Sequence, residues 1–338
     1  MELYCGMDLH ANNILIVLLD DKDREILRRR VKNNLELVLK TLSSYRESIV
    51  GIAVESTYNW YWLVDGLQKA GYKVHLVNTS AVIQYEGLKY TDDKSDARWL
   101  AHLLRLKILP EGYIYPKEQR AVRDLLRRRQ SLVRQHTSNL LSVQNIVVRN
   151  TAVKINANAI KKLEITELEK MISNQNILQA VACNLSVMSC LQEQTRKIEL
   201  SVKNQMKLKP EFRKLLTVNG IGDILALTIM LETGDIGRFP TVGDYSSYCR
   251  CVGSSKITNG KKKGKGNTKN GNEYLAWAYV EAANFAVRFN TRARRFYQRK
   301  CSNTRGVIAI KAVAHKLARA CFYIMRDQVD FDDTKAFA

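Results

Sequence analysis

The sequence predicts an α/β domain followed by an all-helical, strongly basic remainder. Short apolar runs of strand character alternate with helical spacing only in residues 1–112. Beyond them, apolar residues recur every three or four positions over long stretches, and the 338 residues hold only 4 Pro and 17 Gly to interrupt helices. The charge divides at the same place. Residues 1–112 carry 15 Lys/Arg against 15 Asp/Glu, while residues 113–338 carry 39 against 18, the entire formal +21.

Leu3–Leu9 and Asn13–Leu19 are apolar runs of strand length. Asp20-Asp21-Lys22-Asp23 is a polar turn, and Glu25–Val31 returns as a third strand. Asn34–Tyr45 has helical spacing through Leu35, Val38, Leu39 and Leu42. Ile49–Val54 is a buried strand, Asn59–Ala70 a helix stopped by Gly71, Lys73–Val77 a strand, and Asp93–Lys107 a helix closed by Pro110. The order β-β-β-α-β-α-β-α is that of a ribonuclease-H-like (RuvC-like) fold, whereas a doubly wound sheet more often begins βαβ. Residues 113–209 read as a helical arm able to form a coiled coil and mediate self-association, with helices over Glu118–Asn150, Ile155–Met171 and Ser186–Met206. Pro210 opens a third, basic region, residues 210–338, with helices over Glu273–Asn290 and Val307–Arg326.

A neutral first part joined to a basic remainder points to a catalytic module beside a polyanion-binding one. A merely basic solvated surface accounts for a few units of charge, not for an excess so one-sided. No apolar run reaches the ~18–20 residues of a membrane span, and no basic amphipathic anchor or signal peptide is evident, so no membrane partner is expected. Seven scattered cysteines without CxxC pairs read as reduced thiols rather than zinc ligands. A cytoplasmic protein is the expectation.

Four acidic residues stand out. Asp8 lies near the end of the first strand, and Glu55 directly follows Ile49–Val54. If those strands are neighbours, both carboxylates enter one crevice at the carboxyl ends of the sheet. Asp93 and Asp96, three apart, share a helix face. Together the four would repel one another unless a hard divalent cation, Mg²⁺ (or Mn²⁺), joined them, and such ions serve phosphodiester displacement. For Asp93 and Asp96 alone, helix capping explains the pattern equally well.

Gly6-Met7-Asp8, Val54-Glu55-Ser56-Thr57 and Asp93-Lys94-Ser95-Asp96-Ala97-Arg98 together resemble the DEDD insertion-sequence transposases, the "IS one-ten" family related to the Piv and MooV invertases and also called bridge-RNA-guided recombinases. Asp92 stands where that family often has Thr. The resemblance extends over nearly the whole chain. In it, a nucleophilic serine precedes a Lys-x-Gly-Asn motif. Here Thr258-Asn259-Gly260 and Lys269-Asn270-Gly271-Asn272 match, so the implied nucleophile is Thr258, with Ser255 and Ser254 as fallbacks. The resemblance also implies DNA as substrate, a structured guide (bridge) RNA, and a homodimer or homotetramer formed through the arm.

In the basic region, Val218-Asn219-Gly220-Ile221-Gly222 looks like a helix-hairpin-helix turn, although an ordinary glycine turn explains it as well. Asn259–Asn267 interleaves glycines with Lys261, Lys262, Lys263 and Lys265, and Lys269 follows; these read as phosphate contacts, against a loop without fixed structure until DNA binds. Arg294, Arg295 and Arg299, beside Phe296 and Tyr297, read as a nucleic-acid patch or as a solvated basic turn. His315, Arg319 and Tyr323 share a helix face and match the residue types of tyrosine recombinases, but a polar helix face is the stronger account.

The expected function is a DNA transposase or site-specific recombinase working through a hydroxyl nucleophile and a covalent protein–DNA intermediate, with RNA guidance. Two alternatives stay open: a metal-dependent nuclease or junction resolvase without a covalent step, and a non-catalytic nucleic-acid-binding protein.

Overall fold

The computed structural model describes residues 1–82, 93–206, 209–253, 255–264 and 270–338, with the side chains of residues 80, 93–95, 165, 256, 257 and 262 outside the description. It divides into two compact units, Met1–Lys117 and Glu118–Ala338.

The first unit is a mixed sheet of β1 (Leu3–Leu9), β2 (Asn13–Asp20), β3 (Glu25–Lys32), β4 (Ile49–Glu55) and β5 (Val74–Val77), in the order β3-β2-β1-β4-β5. The first three strands form an antiparallel meander, and β4 and β5 join β1 in parallel. Each strand falls where its apolar run predicts it. β3 is the exposed edge, and Arg28, Arg29 and Arg30 guard it against further pairing.

Alternation along β1 sorts its side chains between two layers. Leu3, Cys5, Met7 and Leu9 pack beneath α1 (Leu35–Leu42) and α2 (Tyr61–Lys69), with Val38, Leu42, Leu63 and Leu67. Tyr4, Gly6 and Asp8 face the other way, toward α3 (Asp93–Arg105), whose Ala97, Leu100, Ala101 and Leu104 cover Tyr4, Ala53, Val77 and the β2 residues Leu15, Val17 and Leu19. Gly6 is required by this contact. A Cβ there would stand 2.0 Å from the Ala97 carbonyl oxygen and 2.7 Å from the Ala101 nitrogen, both backbone atoms that cannot yield. Gly6→Ala is expected to lower stability by about 3 kcal/mol, the upper end of overpacking costs, and to push α3 off the sheet; urea unfolding measures it.

The second unit is helical among the described residues apart from one hairpin. α4 (Lys117–Thr151) runs through two cores. Its first half places Val122 and Leu126 with the C-terminal helices, and its second half places Leu140, Val143 and Val147 against α5 (Ala157–Ile160), α6 (Ile165–Glu169) and α7 (Gln175–Met206). The predicted helix over Ile155–Met171 is therefore two short helices. The break lets Ile160 and Leu168 both reach the crevice between α4 and α7, so burial overrides helix propensity. α7 also starts earlier than its periodicity predicts, capped by Asn174, whose Oδ1 accepts from the Asn176 and Ile177 backbone nitrogens.

α8 (Pro210–Leu215), α9 (Asp223–Thr233) and α10 (Val242–Tyr248) lead to the hairpin of β6 (Lys256–Thr258) and β7 (Lys261–Gly264). After it come α11 (Glu273–Phe289), α12 (Thr291–Cys301), α13 (Gly306–Asp327) and α14 (Asp333–Ala336). α9 is buried on nearly every side, and Tyr245, Tyr279 and Phe322 fill the core around it. No helix among the described residues is long and apolar enough to cross a membrane.

Candidate functional site

β1 and β4 pair in parallel with Met7 opposite Val54, so the next residues along each strand, Asp8 and Glu55, come side by side at the carboxyl ends. Strand alternation turns both toward α3, and the first turn of that helix supplies Asp96. Asp8 is 3% exposed. Glu55 shares a hydrogen bond with Asp8. Burial first, then that hydrogen bond and the charges of Asp8 and Asp96, push the Glu55 carboxyl up to about 7. Beside them a cleft of about 300 Å³ is lined by Glu55, Thr79, Val82, Asp96, Trp99 and Leu100. Of the four predicted acidic residues, Asp8 and Glu55 thus stand in contact, and Asp96 lines the same cleft as Glu55. Asp93 begins α3, but its side chain lies outside the described residues, as does all of Asp92.

The donor set suits a hard cation. Asp8 Oδ2 is buried and makes no hydrogen bond, and its ion-pair partner is His10 Nε2 at 3.1 Å. Burial, and after it the neighbouring carboxylates, let Glu55 keep a proton up to about pH 7, and a cation would replace that proton. Among the described residues, no three His, Cys, Asp or Glu side chains are already gathered as a ready-made metal cage.

The basic region corrects several expectations. The predicted Gly/Lys loop begins as an ordered hairpin: Asn259 (φ +50°) and Gly260 (φ +71°) form the two-residue turn between β6 and β7. The signal was present, since Asn-Gly is the favoured pair for a tight turn with both φ positive. Thr258 ends β6, exposed; Ser255 is exposed just before that strand, and Ser254 lies outside the described residues. Lys261 and Lys263 are exposed on one face of β7. Lys262 belongs to β7 with its side chain outside the description, and Lys265 and Lys269 lie outside the described residues.

Arg294, Arg295 and Arg299 sit on a helix, α12, not on a turn. Arg294 is committed internally, donating to the Val287 carbonyl at 3.1 Å and to that of Arg288 at the end of α11. Arg295 and Arg299, one helical turn apart, remain solvent-facing.

The Lys-x-Gly-Asn segment holds a role that no pattern in the sequence disclosed. Gly271 (φ +89°) lies so close to α10 that a Cβ would meet the Tyr248 carbonyl at 2.4 Å. Asn272 caps α11 by accepting from the Tyr274 and Leu275 nitrogens, and it donates to Glu232 at 2.7 Å. Glu232 is 1% exposed and receives both arms of Arg127 from α4, at 2.6 and 2.7 Å. The arginines of α4 are in part internal: Arg120 and Arg123 are buried, Arg127 binds Glu232, and Arg129 binds Glu199 at 2.8 Å. Glu232→Ala is expected to cost about 3 kcal/mol, because it strands Arg127 and the Asn272 amide; denaturant unfolding reads the loss.

Gly220 (φ +97°) turns the chain where a Cβ would meet the Ala282 carbonyl at 2.5 Å, so its place in Val218–Gly222 is fixed by packing on α11. His315, Arg319 and Tyr323 do share a face of α13. Arg319 and Tyr323 line a cleft of about 530 Å³, and Arg326 covers the Tyr323 ring at 4.9 Å.

Residues 5–149 match a transposase family model of the DEDD, IS110 type, and residues 212–298 match the model described as "Transposase IS116/IS110/IS902 family". Among curated proteins, the chain is 24% identical to "Putative transposase y4qE" of Sinorhizobium fredii over 78% of its own length and 65% of that protein's. It is 23% identical to "Probable family 20 transposase" of Pseudomonas aeruginosa, over 81% of this chain and 83% of that one. To "Transposase for insertion sequence element IS1533" of Leptospira borgpetersenii it is 30% identical over 39% of each.

Proposed function

The chain belongs to the IS116/IS110/IS902 family of transposases, and on that premise we propose that it cuts and rejoins DNA through a threonine-linked intermediate. The observation that carries this reading is the hydrogen-bonded pair of Asp8 and Glu55 at the ends of β1 and β4 with Asp96 nearby on α3, where burial first and then these neighbours raise the Glu55 carboxyl. We assign residues 1–112 as a ribonuclease-H-like catalytic domain, 113–209 as an arm for self-association into a dimer or tetramer, and 210–338 as the domain carrying the nucleophile. The strand order β3-β2-β1-β4-β5 supports the first assignment.

Asp8, Glu55, Asp96 and, by its motif, Asp93 would hold Mg²⁺ or Mn²⁺. When bound, such an ion neutralises charge on a phosphate and polarises its P–O bonds. The protein's own groups do the rest. The acidic residues would set where such an ion is held, and Lys261 and Lys263, close to Thr258 in sequence, neutralise backbone phosphates. The Thr258 hydroxyl attacks phosphorus. Its Oγ1–P bond forms as the P–O bond to the sugar breaks, and the hydroxyl proton ends on the departing sugar oxygen. The phosphodiester energy is retained in the protein–DNA bond, so rejoining needs no external energy source. A structured guide RNA enters through family membership, and the exposed Arg295 and Arg299 are the contacts proposed for nucleic acid.

The test incubates the protein with labelled element DNA, candidate guide RNA and Mg²⁺. A denaturation-resistant adduct with its label mapped to Thr258 supports the proposal. Cleavage without any adduct overturns the covalent step.

A further inference from the structure

The turn between β2 and β3 carries an unusual junction. Asp20 organises it, accepting from the Lys22 and Arg24 backbone nitrogens at 2.9 and 2.8 Å. This sets Asp23 in the left-handed region at φ +65°, where glycine or asparagine is the easier residue. The Asp23 carboxylate reaches across to α3 and meets three of its side chains. Arg98 Nη2 donates to Oδ2 at 2.6 Å, His102 Nδ1 stands 2.6 Å from Oδ1, and Arg105 Nε donates to Oδ1 at 3.1 Å. These three residues lie at i, i+4 and i+7, along one face of the helix. Arg98 also donates to the Asp23 carbonyl at 3.0 Å, and the His102 ring stacks on Trp99, which lines the acidic cleft.

We propose that Asp23 is a positioning residue that fixes α3 along its axis and thereby holds Asp96 against Asp8 and Glu55. This rests on the reading of those carboxylates as a cation site. The remaining attachment of α3 explains the need. Ala97 and Ala101 lie directly on Gly6, and Leu100 and Leu104 pack on Tyr4, Ala53 and Val77; these apolar contacts bring the helix close but are non-directional along its axis. Asp96 is two residues before Arg98, so a shift of the helix moves it by the same amount. A single carboxylate gripping three cationic or donor side chains supplies the missing restraint.

Two variants separate positioning from folding, because both tolerate the left-handed backbone: Asp23→Asn and Asp23→Gly. Mn²⁺ binding to the full chain, without DNA, is followed by electron paramagnetic resonance, with circular dichroism confirming the folded fraction. The folded variants are expected to bind Mn²⁺ about tenfold more weakly, the size of effect typical of residues that orient metal ligands. Arg98→Ala added to Asp23→Asn is expected to weaken binding no further. A wild-type Mn²⁺ affinity in folded Asp23→Asn, while Asp8→Asn binds none, overturns this inference alone. Wild-type affinity in Asp8→Asn overturns the cation site itself.

Discussion

Asp8→Asn and Glu55→Gln are each expected to slow DNA strand transfer by about 10³-fold or more, about 4 kcal/mol in the barrier, without unfolding the protein. Each keeps its shape and removes one carboxylate from the hydrogen-bonded Asp8–Glu55 pair beside Asp96. Gel-based strand-transfer rates measure the loss. Stability should move the other way for Glu55. Its carboxyl is raised from the ordinary 4.5 to about 7, so ionising it costs more in the folded chain than in the unfolded one. In EDTA, wild-type stability is therefore expected to decline as pH rises from about 4.5 to about 7 and then to level off. Glu55→Gln lacks that decline. At pH 8 without metal it should melt at or above the wild-type temperature, and added Mg²⁺ should raise only the wild type. Wild-type transfer rates in either variant would remove the acidic cluster from the mechanism.

Thr258→Ala is expected to abolish the covalent protein–DNA adduct, while Thr258→Ser restores it at a rate equal to or above that of the natural residue. Alanine has no oxygen to bond phosphorus. Serine keeps the hydroxyl and omits the methyl group that crowds in-line attack. The residue ends β6 with its side chain exposed, so neither change should disturb the core. Adduct formation by Thr258→Ala in wild-type yield would transfer the role to another hydroxyl, with Ser255 the next to replace.

Much of this protein is legible before folding is considered. Leu3–Leu9, Asn13–Asp20 and Ile49–Glu55 are so apolar that no element but a buried strand suits them, and a carboxylate at the end of such a run has no evident purpose in folding. The Asn-Gly pair at 259–260 was equally plain as a turn signal, though the surrounding lysines drew it toward a loop. Ile155–Met171 misled because its helical spacing served two short helices, each bringing one apolar residue to the same crevice.

The sequence by itself determined the strands, the position of Asp8 and Glu55 at their ends, and the concentration of charge beyond residue 112, because these depend on local pattern and composition. Only the tertiary structure decided which side chains meet. Strand alternation and the Met7–Val54 register brought Asp8 beside Glu55, and the bare surface of Gly6 admitted α3 with Asp96. Asp23 met Arg98 and Arg127 met Glu232 across 75 and 105 residues of chain. A charge on a helix reads the same in sequence whether it faces water or a buried partner, and the difference arises only when distant elements pack.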